Sequence, residues 1–127
     1  DAAGLEQILM NLVRNASDAT RNGGEIRVIT RRAAATEVTR LTGSDSTSVS
    51  AIRLEVADSG VGMDAEVQAH LFEPFFTTKP PGEGTGLGLA SVYGIVQQCG
   101  GTIQVESAAG RGASFRVYLA SAELSAE

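Results

Sequence analysis

Phe72-Glu73-Pro74-Phe75-Phe76-Thr77-Thr78-Lys79-Pro80-Pro81-Gly82-Glu83-Gly84-Thr85-Gly86-Leu87-Gly88-Leu89 is the stretch that most constrains the fold of this chain. It joins aromatic anchors, a proline-rich hinge with a lysine, and a glycine cluster that opens into an apolar helical pattern. The N-terminus of such a helix offers free backbone N–H groups to an anion. The stretch therefore predicts a phosphate-binding site covered by a lid. We place the lid at residues 72–86.

The composition indicates one acidic domain. The chain has 127 residues, of which 43% are hydrophobic, and a formal net charge of -5. Binding to nucleic acid requires clustered Lys and Arg, and the acidic net charge argues against such a surface, so no nucleic-acid binding is predicted; the only lysine is Lys79. No apolar run is long enough to cross a bilayer, so no membrane contact is predicted. The single cysteine, Cys99, permits no internal disulfide, which suits a reducing compartment.

Hydrophobic periodicity predicts helices and strands in an irregular order. Apolar residues at three- and four-residue steps indicate helices, which we predict at residues 3–21, 64–71 and 87–99. Alternating apolar and polar residues indicate strands, which we predict at residues 25–32, 51–57, 102–107 and 113–119. This order does not build a doubly wound parallel sheet. The predicted fold class is an α/β (α+β) two-layer sandwich, a mixed, mostly antiparallel sheet covered on one face by about three helices.

The predicted domain extends over residues 1–120. Within it, residues 33–50 are rich in Ala, Ser and Thr and predict a long flexible hairpin loop. Residues 121–127 are expected to form a frayed tail.

A polar stripe follows the first predicted helix. Its members, at steps of three and four residues on one helix face, are Gln7, Asn11, Asn15 and Asp18. Asparagine is a poor helix former, because its amide competes with the backbone for hydrogen bonds. The stripe is either a solvated helix face or a set of oxygens presented to a hard cation such as Mg²⁺. The helix alone leaves both interpretations open.

A glycine turn with an acidic residue at each end follows the second predicted strand, Asp58-Ser59-Gly60-Val61-Gly62-Met63-Asp64. An acidic strand end followed by glycines that admit a flat ligand can accept a hydrogen bond from an amine such as that of adenine. The alternative is a tight turn in which Asp58 satisfies local N–H groups. Asp64 is predicted to cap the next helix, and His70 to be a partly exposed structural residue.

Four sequence blocks resemble the N, G1, F and G2 boxes of the catalytic ATP-binding domain of bacterial sensor histidine kinases. In chain order they are Asn11-Leu12-Val13-Arg14-Asn15-Ala16-Ser17-Asp18-Ala19, Asp58-Ser59-Gly60-Val61-Gly62, Phe72-Glu73-Pro74-Phe75 and Gly84-Thr85-Gly86-Leu87-Gly88-Leu89. The short lid and Val92-Tyr93-Gly94-Ile95-Val96 are most similar to the nitrogen-regulatory and hybrid-kinase branch. The resemblance implies the Bergerat-type (GHKL) fold of gyrase, Hsp90, MutL and these kinases, with ATP and Mg²⁺ bound.

The resemblance implies a role for each matching position. Asn15 resembles the Mg²⁺ ligand, and Asn11 also faces the metal and the phosphates. Asp58 resembles the aspartate that reads the adenine amine, while Gly60 and Gly62 let the ring approach. The other implied ATP-binding residues are Asp18, Thr77, Thr78, Lys79, Gly84, Thr85, Gly86, Leu87, Gly88 and Ser114. The implied catalytic residues are Asn11 and Asn15, and we add Lys79 on the basis of its charge and its place, which suit a contact with the γ-phosphate.

Two departures bear on the reaction. Gyrase-like hydrolases carry a glutamate at the place of Asn11, where it acts as a general base, whereas an amide cannot take up a proton. Many sensor kinases carry a lysine where this chain has Asp18, so one phosphate-neutralising cation is either missing or supplied elsewhere, with Arg14 and Lys79 as the candidates. The resemblance thus favours a protein-histidine kinase of two-component signal transduction. A gyrase- or Hsp90-like ATPase and a non-catalytic nucleotide-binding interaction module stay open as alternatives.

The resemblance also implies partners. The family phosphorylates a histidine on a separate dimerisation domain, which we expect to belong to the same parent protein and to lie outside this chain. We expect the chain to be a fragment that also lacks the strand preceding the family's first helix. A further expected partner is the receiver domain of a downstream response regulator. The domain is expected in the cytoplasm, even where the parent protein is membrane-anchored.

Overall fold

The computed structural model has helices and strands in the predicted order, and it describes residues 2–20, 23–33, 37, 51–74, 76 and 88–120. The elements are α1 (Ala2–Ala19), β1 (Ile26–Ala33), β2 (Ala51–Asp58), α2 (Ala65–Ala69), α3 (Gly88–Gln98), β3 (Thr102–Ser107) and β4 (Ala113–Ala120). Each predicted helix and strand is confirmed, with small shifts at its ends. Most of the predicted loop, most of the predicted lid and the whole predicted tail lie outside the described residues. None of the described helices is long and apolar enough to cross a membrane.

The described strands form one sheet in the order β1-β2-β4-β3. Its pairings are antiparallel throughout. Strand β2 lies between β1 and β4, so that its last residue, Asp58, is paired with Ile26 on one side and Ala113 on the other. The helices pack against one face of this sheet. The predicted two-layer sandwich is therefore confirmed.

The core lies between the helices and that face of the sheet. Residues four apart on α1 and α3 point in the same direction, and alternate residues of β4 face them. The largest completely buried side chains include Ile8, Leu12, Val92, Val96, Phe115 and Val117. Burying an apolar side chain of this size contributes about 1.5–3 kcal/mol. The core therefore fixes α1 and α3 side by side over β2 and β4.

The opposite, open face of the sheet carries a network of ion pairs. Glu55 lies 2.8 Å from Arg53 and 3.1 Å from Arg116, which also approaches Glu106 to 2.8 Å. The side chains of Glu55 and Arg53 are 13% and 15% exposed, so this pair is better shielded than an ordinary surface pair. Ser114 belongs to this face as well, because its two neighbours in β4 point into the core.

Helix α2 begins at a side-chain cap. Asp64 Oδ1 accepts a hydrogen bond from the backbone N–H of Val67 at 2.9 Å, which confirms the predicted N-cap. Leu71, just beyond the helix, is buried in the core. His70 is 49% exposed, and its Nδ1 lies 2.7 Å from Glu73 Oε2. The predicted structural role of this histidine agrees with that pairing.

Candidate functional site

Asp58 lies at the end of β2 and is buried, with 9% of the residue exposed. Its Oδ1 accepts a hydrogen bond from the backbone N–H of Gly60 at 2.8 Å, and the backbone of Ala113 also hydrogen-bonds the carboxylate. Burial raises the pKa of Asp58 above its ordinary value, although these two backbone hydrogen bonds oppose the rise. The carboxylate is therefore a hydrogen-bond acceptor whose orientation is set by backbone groups.

The glycine turn after Asp58 packs tightly against two other segments. A Cβ on Gly60 would overlap the carbonyl group of Ala19, the last residue of α1. At Gly62, where φ is +70°, a Cβ would overlap the carbonyl oxygen of Ala108. The backbone N–H of Val61 donates to the same Ala19 oxygen at 3.2 Å. Since only glycine permits these approaches, the end of α1 and the Asp58 turn are held together.

The polar stripe of α1 connects that turn with the start of α3. Asn11 Nδ2 donates to the carbonyl oxygen of Gly88, the first residue of α3, at 3.3 Å. Asn15 and Asp18 follow on the same helix face and are half-buried, whereas Gln7 at the other end is exposed. Three of the four stripe residues thus lie between the start of α3 and the Asp58 turn.

The structure brings part of the predicted constellation together. It joins Asn11 to Gly88, and it joins the end of α1 to the turn that follows Asp58. It does not bring Ser114 to the Asp58 carboxylate, because Ser114 lies on the open face and its neighbour Ala113 is paired with Asp58 instead. The predicted residues outside the described ranges are Thr77, Thr78, Lys79, Gly84, Thr85, Gly86 and Leu87.

The donors on α1 suit a cation that is held partly by phosphate. Across the described ranges, no three residues of the types His, Cys, Asp and Glu gather as a metal site. Mg²⁺ usually keeps several waters and takes only one or two protein oxygens together with substrate phosphates. Asn11 and Asn15 lie one turn apart on one helix face and each offers an amide oxygen. These residues therefore fit a Mg²⁺ ion that accompanies a nucleotide.

Two polar residues beside the Asp58 turn were not predicted from the sequence. Ser107 Oγ accepts a hydrogen bond from the backbone N–H of Met63 at 2.9 Å, and Gln68 Nε2 donates to the Met63 carbonyl oxygen at 2.9 Å. The sequence pattern could have identified Ser107, because it follows Ile103 and Val105 at two-residue steps and so faces the core as they do. A hydroxyl at such a position needs a hydrogen-bond partner. No sequence pattern marks Gln68.

The beginning of the predicted lid is attached by aromatic contacts. Phe72 stacks on Tyr93 of α3, with ring centroids 5.2 Å apart. Phe76 lies 5.7 Å from the ring of His70, again measured between centroids. Phe72 therefore anchors the chain to α3 where residues 72–86 begin, as predicted.

The relatives found by comparison with known proteins include sensor kinases. The family model described as histidine kinase-, DNA gyrase B-, and HSP90-like ATPase (HATPase_c) matches residues 1–123. The chain is 44% identical over 119 residues to sensor kinase CckA of Brucella abortus. It is 40% identical over 119 residues to the sensory histidine kinase/phosphatase NtrB of Rhodobacter capsulatus. Among solved structures it is similar to full-length ShkA in complex with AMPPNP, with a TM-score of 0.71 and 29% identity.

The chain spans only a small part of these proteins. The matches cover 94% of this chain but 13% of CckA and 32% of NtrB. The match to ShkA covers 91% of this chain and 21% of that structure. The shared unit is thus one domain of larger proteins.

Proposed function

Because this chain belongs to the family of histidine kinase-, DNA gyrase B-, and HSP90-like ATPases, we propose that it binds Mg-ATP and supplies the γ-phosphate for phosphorylation of a histidine. The acceptor histidine lies on a separate dimerisation domain of the same parent protein, and the reaction serves two-component signal transduction. The names of CckA and NtrB, which describe sensor kinases, support this assignment. The ShkA structure supports the choice of nucleotide, because it holds AMPPNP.

The observation that carries the proposal is the Asp58 carboxylate. It is buried at a strand end, and its Oδ1 accepts a hydrogen bond from Gly60 N–H at 2.8 Å. A carboxylate has two oxygens and several lone pairs, so it can accept a further hydrogen bond from the exocyclic amine of adenine. Gly60 and Gly62 let the turn pack against the carbonyl groups of Ala19 and Ala108, which fixes the backbone beside the carboxylate.

The phosphates are proposed to extend from this turn along α1 toward the start of α3. Asn15 would hold Mg²⁺ there, with Asn11 facing the metal and the phosphates, and the ion would supply charge that neutralises the phosphates. Asp18 lies on the same helix face. The other ATP-binding residues would contribute backbone N–H groups, and Lys79 its charge; they are Thr77, Thr78, Lys79, Gly84, Thr85, Gly86, Leu87 and Gly88.

The chemistry of Asn11 favours transfer of the phosphoryl group over its hydrolysis. Its amide nitrogen donates to the Gly88 carbonyl oxygen at 3.3 Å, and an amide has no basic site that could activate a water molecule. Catalysis by this domain then consists of positioning and charge stabilisation. The nucleophile comes from the histidine of the partner domain.

A phosphotransfer assay tests the proposal. The chain is mixed with the dimerisation domain of its own parent protein and with ATP labelled at the γ-phosphate. We expect acid-labile label on a histidine of that domain. Release of free phosphate by the chain alone, faster than transfer, would support the gyrase-like ATPase instead. Saturable ATP binding without any transfer would support a non-catalytic nucleotide-binding module.

The Asn15→Ala variant is expected to lose the stimulation of ATP binding by Mg²⁺. The variant removes one metal-binding oxygen from the middle of the stripe, so its ATP affinity with Mg²⁺ should fall about tenfold. Its affinity in EDTA should stay near that of the unchanged protein. Isothermal titration calorimetry with and without Mg²⁺ measures both values. Gln7→Ala is the matched control, since Gln7 is exposed at the far end of the stripe. An equal Mg²⁺ response in both variants would contradict the assignment of Asn15.

Acidification is expected to weaken ATP binding at a higher pH than an ordinary aspartate would cause. Burial raises the pKa of Asp58, and protonation removes the charged acceptor, so affinity falls as the pH drops toward the raised pKa. The measurement is the ratio of ATP affinities of the unchanged protein and Asp58→Asn, from about pH 7.5 down to about pH 4.5. This ratio cancels the titration of ATP itself. A ratio that stays constant over this range would show that Asp58 does not titrate there.

The proposal extends to the partners and the location of the domain. The dimerisation domain passes the phosphoryl group to the receiver domain of a response regulator. Because these reactions use cellular ATP, the domain works in the cytoplasm. Detection of the label on a receiver domain added to the phosphotransfer mixture tests the second transfer.

A further inference from the structure

Two side chains connect α2 and the β3–β4 hairpin to the Asp58 turn. Gln68 Nε2 donates to the carbonyl oxygens of Met63 at 2.9 Å and Ser107 at 3.1 Å. Ser107 Oγ accepts from Met63 N–H at 2.9 Å and donates to the Gly112 carbonyl oxygen at 2.6 Å. Met63 thus receives a hydrogen bond at its carbonyl and donates one from its N–H to the same small network.

The network needs the donors that these residue types supply. A glutamine amide has two N–H donors on one nitrogen, so it can serve two carbonyl oxygens at once. A hydroxyl both accepts and donates, which lets Ser107 connect Met63 N–H with the Gly112 carbonyl. Glutamate at position 68 would present acceptors to two carbonyl oxygens, although its shape is nearly the same.

The network holds the two segments that lie on either side of the Asp58 carboxylate. Met63 belongs to the turn that begins at Asp58. Gly112 packs so closely that a Cβ there would overlap the Asp58 carbonyl oxygen, and the following residue, Ala113, hydrogen-bonds the carboxylate. A shift of either segment would therefore move or reorient the carboxylate.

We infer that Gln68 and Ser107 are positioning residues for adenine recognition. They act through Asp58 by fixing the distance between the turn and the β3–β4 hairpin, and they set how strongly the site prefers an adenine nucleotide over one that lacks the exocyclic amine. The inference rests on the proposed function, because it presumes that Asp58 reads that amine. The placement of the Asp58 carboxylate matters, because a displacement of about 1 Å in a preorganised site can lower its activity by a large factor.

The test compares the affinities for ATP and for inosine triphosphate, which carries a carbonyl oxygen in place of the amine. The unchanged protein should prefer ATP by about 100-fold or more, because its acceptor would face an acceptor in the inosine nucleotide. Gln68→Glu should lower this preference about tenfold. Gln97→Glu makes the same chemical change at an exposed position of α3 and should leave the preference unchanged.

A pair of variants at Ser107 gives an independent result. Ser107→Ala removes the hydroxyl and should lower the preference for ATP over inosine triphosphate. Ser107→Thr keeps a hydroxyl and should have nearly the preference of the unchanged protein. Urea unfolding of each variant measures the purely structural effect. If Gln68→Glu and Ser107→Ala lower stability while the preference stays within about twofold of the unchanged protein, the inference is wrong. If the unchanged protein binds neither nucleotide, the proposed function fails and the inference with it.

Discussion

Alanine at position 112 is expected to lower the free energy of unfolding by about 4 kcal/mol, which combines left-handed backbone strain with overpacking. Gly112 is buried, has a φ of +77°, and lies where a Cβ would overlap the Asp58 carbonyl oxygen. Relief would require β2 and β4 to separate at the paired residues Asp58 and Ala113. Because small domains are stable by about 5–15 kcal/mol in total, Gly112→Ala should leave little folded protein in mild denaturant.

The same turn provides the matched control for this prediction. Gly110 has nearly the same φ, +78°, but a Cβ there would meet nothing within 4 Å. Gly110→Ala should therefore show the conformational strain alone, about 1–2 kcal/mol. Urea titrations of both variants, followed by circular dichroism, measure the difference. If Gly112→Ala and Gly110→Ala lost equal free energies of unfolding, the close approach of position 112 to Asp58 would not contribute to the loss.

Asparagine at position 58 is expected to weaken ATP binding by about 100-fold or more. A binding site that is arranged for one hydrogen bond loses much affinity when a donor replaces the acceptor of that bond. In the native protein Gly60 N–H donates to Oδ1 and the backbone of Ala113 also hydrogen-bonds the carboxylate, and the proposed function assigns a remaining lone pair of the carboxylate to the adenine amine. In Asp58→Asn the amide oxygen is needed by Gly60. The amide nitrogen then faces the adenine amine, so that a donor meets a donor.

Asp64→Asn separates this effect from the loss of one negative charge near the turn. Asp64 is exposed and caps α2 through a hydrogen bond to Val67 N–H at 2.9 Å, and asparagine is an equally good cap. Calorimetric titration with Mg-ATP should give a nearly unchanged affinity for this variant. An Asp58→Asn affinity within about threefold of the unchanged protein would exclude a direct contact with the amine.

The fold could be predicted because its elements have clear periods. Apolar residues such as Ile8 and Leu12 recur at helical spacing, and Phe115 and Val117 alternate with polar neighbours in β4. Both patterns record burial of one face, which is what fixes helices and strands in a two-layer fold. The ends of the elements depend on local caps, and the cap at Asp64 could also be predicted because its side chain acts within its own helix.

The geometry of the candidate site could be predicted only where neighbours in the sequence form one local structure. Asp58, Gly60 and Gly62 form one turn, so their relation is visible in the chain. Ser114 was expected near the adenine. Successive residues of β4 point to opposite faces of the sheet, and the residue paired with Asp58 is Ala113 and not Ser114. Counting in two-residue steps from Phe115 would have assigned Ser114 to the open face.

Gln68 could not have been found in this way. Its two hydrogen bonds join α2 to Met63, 5 residues away, and to Ser107, 39 residues away. Such a bond depends on how α2 packs beside the hairpin, and a half-buried glutamine on a short helix has no periodic signature. Long-range contacts between side chain and backbone emerge only from the tertiary structure.

The stack of Tyr93 on Phe72 gives the protein a natural optical reporter. The chain contains two tyrosines and no tryptophan, and the second tyrosine, Tyr118, is buried and donates its hydroxyl hydrogen to Glu37 Oε2 at 3.1 Å. The Tyr118→Phe variant leaves Tyr93 as the only strong ultraviolet fluorophore. Its quantum yield and anisotropy would then follow the chain where residues 72–86 begin, in real time and without an attached dye.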